Sequence, residues 1–131
     1  MDVVDQLNAN PQPLARLLGV EIVEATPRRV VARLTVREEI CTSGGILHGG
    51  AFMALADTAG AIGAVLNLRD GARTTTIESK TNFLGGAPIG AVVTAEATPV
   101  HVGRRSSVWQ TRITDTTGKL LALVTQTQLV I

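Results

Sequence analysis

The sequence predicts an α+β fold in which an antiparallel β-sheet wraps around one long, buried α-helix. The stretch from Gly49 to Leu68 carries one charge, contains no proline and is rich in alanine and leucine, so it predicts a helix that is buried on nearly every side. Strand-like segments lie on both sides of this stretch, and no further long helices alternate with them. This order is typical of an antiparallel sheet, and a single apolar helix must be covered by it.

A short helix and a hairpin are predicted ahead of the long helix. Residues 13–19 indicate a short helix that begins at a proline and ends at a glycine. Its apolar anchors are expected to be Leu14, Leu17 and Leu18. Residues 20–25 and 30–36 predict two strands with one wet and one buried face, joined around Pro27. Residues 37–47 then form the loop into the long helix.

Four strands are predicted after the long helix. They cover residues 73–84, 90–102, 106–115 and 120–131. The first of them alternates strictly, which places Ile77 and Ser79 on one face and Thr76 on the other. A tight turn at Thr117-Gly118 joins the last two strands.

Length and composition predict one domain over residues 1–131, because a chain of 131 residues can bury one core and is short for two. Only 2% of the residues are aromatic, so valine, isoleucine, leucine and alanine must build the core. The net charge of +1 and the lack of stacking aromatics argue against a nucleic-acid partner.

The single cysteine, Cys41, excludes an intrachain disulfide and indicates a reducing compartment. A nucleophilic role for this thiol lacks an adjacent base in the sequence. Met1 is followed by acidic residues rather than by a basic and then apolar run, so no signal peptide is expected and we predict a cytoplasmic protein. Residues 46–68 approach the length of a membrane span, but Asp57 near their middle argues against insertion.

Asp57 is the one charge of the predicted long helix. Burying a carboxylate costs free energy unless it is paired or hydrogen-bonded, so Asp57 has either a structural partner or a chemical function. Gly49 and Gly50 open the helix, where backbone amides lack intrahelical acceptors and the helix dipole is positive. A helix start of this kind can stabilise a developing oxyanion.

His48 directly precedes this helix start, where it either packs against the helix or takes part in the chemistry. Nine residues separate His48 from Asp57, which places them on opposite sides of one helix and more than about 10 Å apart along its axis. An aspartate that cooperates with His48 is therefore expected to come from another copy of the chain.

These motifs resemble those of a known family. The segment His48-Gly49-Gly50, followed by Leu55-Ala56-Asp57-Thr58, is similar to the hotdog-fold acyl-CoA thioesterases of the phenylacetyl-CoA thioesterase type. The resemblance covers residues 14–131. Further matches, in the same order, are Thr76, Asn82-Phe83-Leu84, Gly103-Arg104-Arg105 and Asp115-Thr116-Thr117-Gly118-Lys119-Leu120.

The resemblance implies hydrolysis of acyl-CoA thioesters to free acid and CoA, at a site shared between two subunits. Gly49 is expected to donate its amide to the thioester carbonyl, Asp57 of the facing subunit to act as base or nucleophile, and Thr76 to position the water or the acid. The expected catalytic residues are Asp57, Gly49, His48 and Thr76. The expected substrate-binding residues are Thr42, Gly50, Arg104 and Arg105. Many family members carry Asn or Gln at the place of Thr42, whose hydroxyl can also bond a carbonyl.

Partners and assembly follow from the same reasoning. Arg104 and Arg105 lie on a predicted turn that is either solvated or, as the resemblance implies, close to the nucleotide end of CoA, since the guanidinium fork suits phosphate. No metal is expected, and no cofactor beyond the CoA of the substrate. The small-residue helix and the open strand edges favour a homodimer, with a dimer of dimers as the expected further assembly.

Two other functions remain open. A hotdog hydratase or dehydratase acting on enoyl or 3-hydroxyacyl thioesters would use His48 and Asp57 as a proton-transfer pair across the subunit interface. A non-catalytic acyl-CoA binding module would leave Asp57 with a structural role only. The acyl group, and the choice between general base and covalent anhydride, are also left open by the sequence.

Overall fold

The computed structural model describes residues 2–131, so Met1 of the predicted domain lies outside the described residues. One six-stranded antiparallel sheet, in the order β1-β2-β4-β5-β6-β3, packs against the long helix α3, which confirms the predicted α+β hotdog arrangement. The helices are α1 (Val3–Ala9), α2 (Pro13–Leu18) and α3 (Gly49–Leu66). The strands are β1 (Glu21–Thr26), β2 (Arg29–Thr35), β3 (Thr74–Phe83), β4 (Val92–Val102), β5 (Ser106–Thr114) and β6 (Leu120–Val130).

Small side chains bring α3 close to the sheet. Leu55, Ala56 and Ala59 are fully buried between the helix and the strands. At Gly63 the approach is so close that an added Cβ would lie 2.4 Å from Cη2 of Trp109, the largest buried side chain. Among the described residues α3 is long and apolar enough to cross a bilayer by length and composition, but it packs here as the core helix.

The N-terminal helices differ in part from the sequence prediction. Helix α2 begins at Pro13, and Gly19 caps it with a φ of 79°, a left-handed conformation that favours glycine. Leu18 is buried as an anchor, but Leu14 and Leu17 are 54% and 68% exposed. That part of the anchor prediction is wrong for the described chain, because a helix of six residues turns only one narrow stripe inward and Ala15 shares it with Leu18.

Helix α1 was not predicted because the apolar pattern of its seven residues is short, and none of them is fully buried. Val4 and Leu7 are half-buried against the core, and polar contacts also hold the helix. Asp2 caps its start by accepting a hydrogen bond from the amide of Asp5 at 2.8 Å. The side chain of Asn8 exchanges two hydrogen bonds with the backbone of Ile22 in β1, at 2.8 and 2.9 Å, which ties the helix to the edge of the sheet.

A β-bulge in β3 overturns the predicted strict alternation of this strand. The register against β6 shifts between Thr76 and Glu78, so the extra residue, Ile77, turns outward and is 58% exposed. Thr76 and Ser79 consequently line the same cleft, although strict alternation places them on opposite faces. The bulge therefore decides which polar side chains of β3 reach α3.

The turn between β5 and β6 is organised by Asp115. Its Oδ1 accepts hydrogen bonds from the hydroxyl of Thr117 at 2.6 Å, the amide of Thr117 at 2.9 Å and the amide of Lys119 at 3.1 Å. The hydroxyl of Thr117 is the main cause that holds the pKa of Asp115 below its ordinary value. A carboxylate with a lowered pKa stabilises the folded state at neutral pH.

We expect Asp115→Ala to lower the Tm at pH 7, because three hydrogen bonds of the turn are lost. The loss should shrink as the pH falls below about 4 and through the lower pKa of the folded state, since the wild-type carboxylate is then protonated as well. Thermal unfolding of the wild type and the variant, at pH 7 and at a pH well below about 4, measures this change in the loss of Tm. Asp70→Ala in the α3–β3 turn is the matched control, because this carboxylate bonds no other described side chain. A loss in Tm that does not depend on pH would contradict the prediction.

Candidate active site

The start of α3 presents one free backbone donor. His48 is the N-cap residue, and its Nδ1 accepts a hydrogen bond from the amide of Gly50 at 2.8 Å. The amides of Ala51 and Phe52 donate to the carbonyl of His48 at 2.9 and 3.2 Å. The amide of Gly49 has no acceptor among the described residues. Gly50, expected from the sequence to be a second donor for substrate, is thus occupied by the histidine.

A cleft of about 350 Å³ lies at the start of α3 and is lined by Gly49. Thr42 and His48 line it together with Gly49, so these three predicted site residues share one cavity. The ring of Phe83 forms one wall, and an added Cβ on Gly49 would lie 3.2 Å from its Cε1. A side chain at position 49 would narrow the cleft beside the free amide, which gives glycine a steric reason here.

Asp57 lies on the same helix, half-buried, and two side chains of the sheet hold it. Its Oδ1 accepts hydrogen bonds from Oγ1 of Thr76 at 2.7 Å and from Nε2 of Gln126 at 2.9 Å. Its Oδ2 has no donor among the described residues. A second cleft, of about 210 Å³, opens beside this carboxylate and is lined by Leu14, Met53, Ala54, Asp57, Thr76 and Ser79. Asp57 is therefore oriented by one oxygen and leaves the other available.

Two glutamines of β6 belong to this network, and sequence reasoning missed both. Gln126 and Gln128 are 0% and 1% exposed. Nε2 of Gln128 donates to Oγ1 of Thr76 at 2.6 Å, and this directs the threonine proton to Asp57. Oγ1 of Thr74 lies 3.1 Å from Oε1 of Gln128 and fixes the amide from behind. The sequence did carry a signal, because these glutamines continue the inward face that Ala122 and Val124 begin.

The two halves of the predicted site do not meet within one chain. The cleft at Gly49 and the cleft at Asp57 share no lining residue, since Gly49 lies at the start of α3 and Asp57 two turns further on. Eight residues of helix correspond to about 12 Å along the axis. No hydrogen bond joins His48 to Asp57 in the described residues either. One copy of the chain therefore holds a donor without an acid in one cleft, and an acid without a backbone donor in the other.

The two predicted phosphate ligands lie on the turn between β4 and β5, and both are exposed. The carbonyl of Arg105 accepts a hydrogen bond from the amide of Val130, which pairs with Thr74 on β3. The turn thus stands at the end of the sheet that carries the threonine–glutamine network. Arg69 reaches the same turn, with its Nη1 3.4 Å from the carbonyl of Arg104.

Cys41 is half-buried, and its sulfur donates to the carbonyl of Arg37 at 3.3 Å. It lines a third cleft, of about 410 Å³, that also reaches His48. No hydrogen bond joins the thiol to an imidazole or carboxylate in the described part of the chain. Within residues 2–131 no group of three or more histidine, cysteine, aspartate or glutamate side chains is placed to hold a metal ion.

We expect Thr76→Val to lower the free energy of unfolding by about 1–3 kcal/mol, because the buried amide of Gln128 then loses its acceptor. Urea denaturation measures this change. Thr81→Val is the matched control on the same strand, since the buried hydroxyl of Thr81 has no partner and its loss should be neutral or stabilising. Equal destabilisation by both variants would show that the hydrogen bonds of Thr76 contribute nothing.

Comparison with known proteins identifies the family. Residues 44–122 match the family model of the thioesterase superfamily. A 1,4-dihydroxy-2-naphthoyl-CoA hydrolase from Listeria monocytogenes is 36% identical over 84% of this chain and 89% of its own length. The crystal structure of a thioesterase from Haemophilus influenzae, HI1161, superposes with a TM-score of 0.92 at 31% identity, covering 100% of this chain and 92% of that one.

A second solved structure bears on the fold alone. The Escherichia coli PaaI protein, from the phenylacetic acid degradation operon, superposes with a TM-score of 0.87 at 24% identity, over 98% of this chain and 91% of that one. These matches confirm the resemblance on which the sequence prediction of a hotdog thioesterase was based. The chain belongs to the thioesterase superfamily, and it is a hotdog-fold thioester hydrolase.

Proposed function

We propose that the protein hydrolyses acyl-CoA thioesters to free acid and CoA at a site formed by two copies of the chain. The observation that carries this proposal is the state of Asp57, a half-buried carboxylate with both donors on Oδ1 and with Oδ2 free beside an apolar cleft. A carboxylate held in this way suits general-base or nucleophilic catalysis next to an apolar acyl group.

Two routes use the free oxygen of Asp57. As a general base, Oδ2 takes a proton from water while the water oxygen attacks the thioester carbonyl carbon. As a nucleophile, Oδ2 attacks that carbon itself and forms a mixed anhydride, which water then hydrolyses. In both routes the carbon–sulfur bond breaks, and sulfur leaves as the CoA thiolate and takes up a proton. Thr76 holds the carboxylate by Oδ1 in either case.

The amide of Gly49 supplies the complementary half of the proposed site. It is a free donor at the positive end of a helix of 18 residues, which is where charge developing on the thioester oxygen is best stabilised. His48 keeps this end ordered by capping Gly50, and the hydroxyl of Thr42 lines the same cleft as a second polar contact for the carbonyl. The helix start thus binds the oxygen, whereas Asp57 acts on the carbon.

Two copies are needed because one copy does not bring these halves together. Strand β3 is an edge of the sheet and can pair with the β3 strand of a second copy. Large apolar side chains beside it are exposed in the single chain, among them Leu14, Ile77 and Phe83. A two-fold pairing that covers them would join the Gly49 cleft of one copy to the Asp57 cleft of its partner, twice per dimer. Two such dimers would form the expected tetramer.

Arg104 and Arg105 are proposed to bind the phosphates of CoA. Both are exposed at the sheet end that carries the network around Thr76. Arg69 adds a third guanidinium to the same turn. Arginine binds phosphate oxygens through a planar pair of donors, and this geometry suits a diphosphate. CoA then enters as part of the substrate, and the proposal needs no separate cofactor.

The acyl group is proposed to lie against Leu14, Met53 and Ala54, the apolar lining beside Asp57. The relative from Listeria is named for an aroyl substrate, so 1,4-dihydroxy-2-naphthoyl-CoA is the first candidate. With one cysteine in the chain and no disulfide to form, we infer that this chemistry takes place in the reducing cytoplasm.

A thiol-release assay tests the proposed reaction. The panel contains short, medium, long, arylacetyl and 1,4-dihydroxy-2-naphthoyl esters of CoA, and we expect saturable release of CoA from at least one of them. Hydration or dehydration of enoyl or 3-hydroxyacyl-CoA with the thioester intact would favour the hydratase. Saturable binding to the panel without thiol release would favour the binding module.

Complementation tests the shared site. Asp57→Asn and Gly49→Pro should each lower kcat by about 10²- to 10⁴-fold, the first by removing the base and the second by removing the amide. Proline is compatible with the first position of a helix, and His48 already has the extended φ of −62° and ψ of 138° that precede a proline. Refolding the two variants together should restore activity, because each mixed dimer contains one intact site.

Two controls make the complementation decisive. Wild-type chain refolded with the double variant Asp57→Asn/Gly49→Pro should form mixed dimers without an intact site, so activity should fall below that of wild-type chain diluted with buffer. Gly49→Ala keeps the amide and should retain far more activity than Gly49→Pro. Failure of the mixed single variants to regain activity, despite formation of mixed dimers, would place the site within one copy.

Arg104→Ala should raise KM for CoA esters about 10-fold or more, with a much smaller effect on thioesters that lack the nucleotide. The measurement is a pair of kinetic profiles with one acyl group on CoA and on a short thiol. Arg112→Ala, an exposed arginine elsewhere on β5, controls for the loss of one positive charge. Equal effects on both substrates would rule out a phosphate role for Arg104.

A further inference from the structure

We propose that Gln126 is a positioning residue for Asp57, and that Gly60 is the notch in α3 that admits it. This inference rests on the proposed function, since it assigns a role to a partner of the proposed catalytic acid. Gln126 approaches Asp57 from β6, where it is paired with Ser79 of β3. It lines neither the cleft at Gly49 nor the cleft at Asp57, so it acts through the aspartate alone.

The fit between Gln126 and the helix is tight. An added Cβ on Gly60 would lie 2.2 Å from Oε1 of Gln126 and 2.6 Å from its Cδ. Gly60 stands three residues after Asp57, one turn along the same helix. The glycine leaves room for the amide to lie flat against the helix, and from there Nε2 reaches Oδ1 of Asp57 at 2.9 Å. Any larger residue at position 60 would displace the amide that holds the acid.

The other end of the same amide argues for a function. Oε1 of Gln126 is buried and accepts no hydrogen bond in the structure. An unpaired buried acceptor destabilises the fold, and an apolar side chain of similar volume would avoid this cost. The glutamine therefore contributes through the one bond it does make, which is the bond to Asp57. The hydroxyls of Thr81 and Thr111 are also buried and unpaired, but unlike Gln126 neither side chain bonds a carboxylate.

Convergence of two donors on one oxygen has a geometric consequence. With Thr76 and Gln126 both on Oδ1, rotation of the carboxylate about its last bond would break two hydrogen bonds at once. Oδ2 is thereby held towards the cleft. Catalysis by a base depends on placing the reacting oxygen within a few tenths of an ångström, so losing one of the two anchors should slow the chemical step more than it weakens substrate binding.

The test is Gln126→Met, which keeps the length and bulk of the side chain and removes the donor. We expect kcat to fall about 10- to 100-fold while KM changes less than threefold. Gln126→Asn is the second variant. It keeps the polar amide, but its side chain is one methylene shorter and cannot reach Asp57. Circular dichroism and Tm establish that each variant is folded, and kcat is given per folded dimer.

Gly60→Ala and Gly63→Ala form a matched pair on one helix. The first forces Gln126 away from the acid and should reproduce the fall in kcat. The second meets the ring of Trp109 instead, at 2.4 Å, so it should lower Tm and leave kcat per folded dimer within twofold. Combining Gly60→Ala with Gln126→Met should lower kcat no further than either change alone, since both remove the same bond.

The Asp57→Asn background separates positioning from a general structural effect. There Gln126→Met should change the residual kcat less than twofold, because the oxygen that it orients no longer takes a proton. Two outcomes would overturn the positioning role of Gln126 and leave the proposed function standing. The first is an equal loss of kcat on Gln126→Met in the wild-type and Asp57→Asn backgrounds. The second is a wild-type kcat for folded Gln126→Met when Asp57→Asn is impaired. A wild-type kcat for Asp57→Asn would overturn the proposed function, and the inference with it.

Discussion

The arrangement of helix and sheet depends on one partly buried polar network, the hydrogen bonds between Asp57 of the core helix and side chains of the sheet. A carboxylate inside an apolar helix is unfavourable unless donors meet it, and here Thr76 and Gln126 do so. The network fixes the rotation of α3 relative to β3 and β6, because any other rotation would leave the acid, the threonine and a fully buried glutamine unpaired. Apolar packing holds α3 against the sheet, and this network sets which side of α3 faces β3 and β6.

Glycines allow the helix to make these contacts. Gly60 admits the amide of Gln126 and Gly63 admits the indole of Trp109, each at distances that a Cβ would forbid. Gly49 leaves its own amide open beside the ring of Phe83. The chain has very few aromatic residues, and small residues on α3 let the one tryptophan lie within the sheet–helix layer. The core is thus filled by side chains of the sheet that pack directly on the backbone of α3, where many cores use bulky side chains from both elements.

Separation of the two halves of the site along one rigid helix has a consequence for assembly. A rigid helix keeps the Gly49 amide and the Asp57 carboxylate about two turns apart. In the proposed reaction both groups act on one thioester only if a second copy of the chain supplies one of them. The proposed dimer follows from this rigidity together with the open edge of β3. If the proposed dimer forms the site, activity depends on assembly, because a single copy holds the Gly49 and Asp57 clefts apart.

The sequence by itself determined the order of the strands and of α2 and α3, the antiparallel sheet and the buried helix, and it singled out Asp57, Gly49 and Thr76 as candidate site residues, because hydrophobic periodicity and an isolated charge are local properties. Only the tertiary structure decided the rest. Gln126 is 69 residues from Asp57 in the chain, and no local pattern links them. The bulge at Ile77 depends on pairing with β6, and the capping of Gly50 by His48 depends on a rotamer. Such contacts are set by how elements meet in space, which alternation and spacing along the chain do not record.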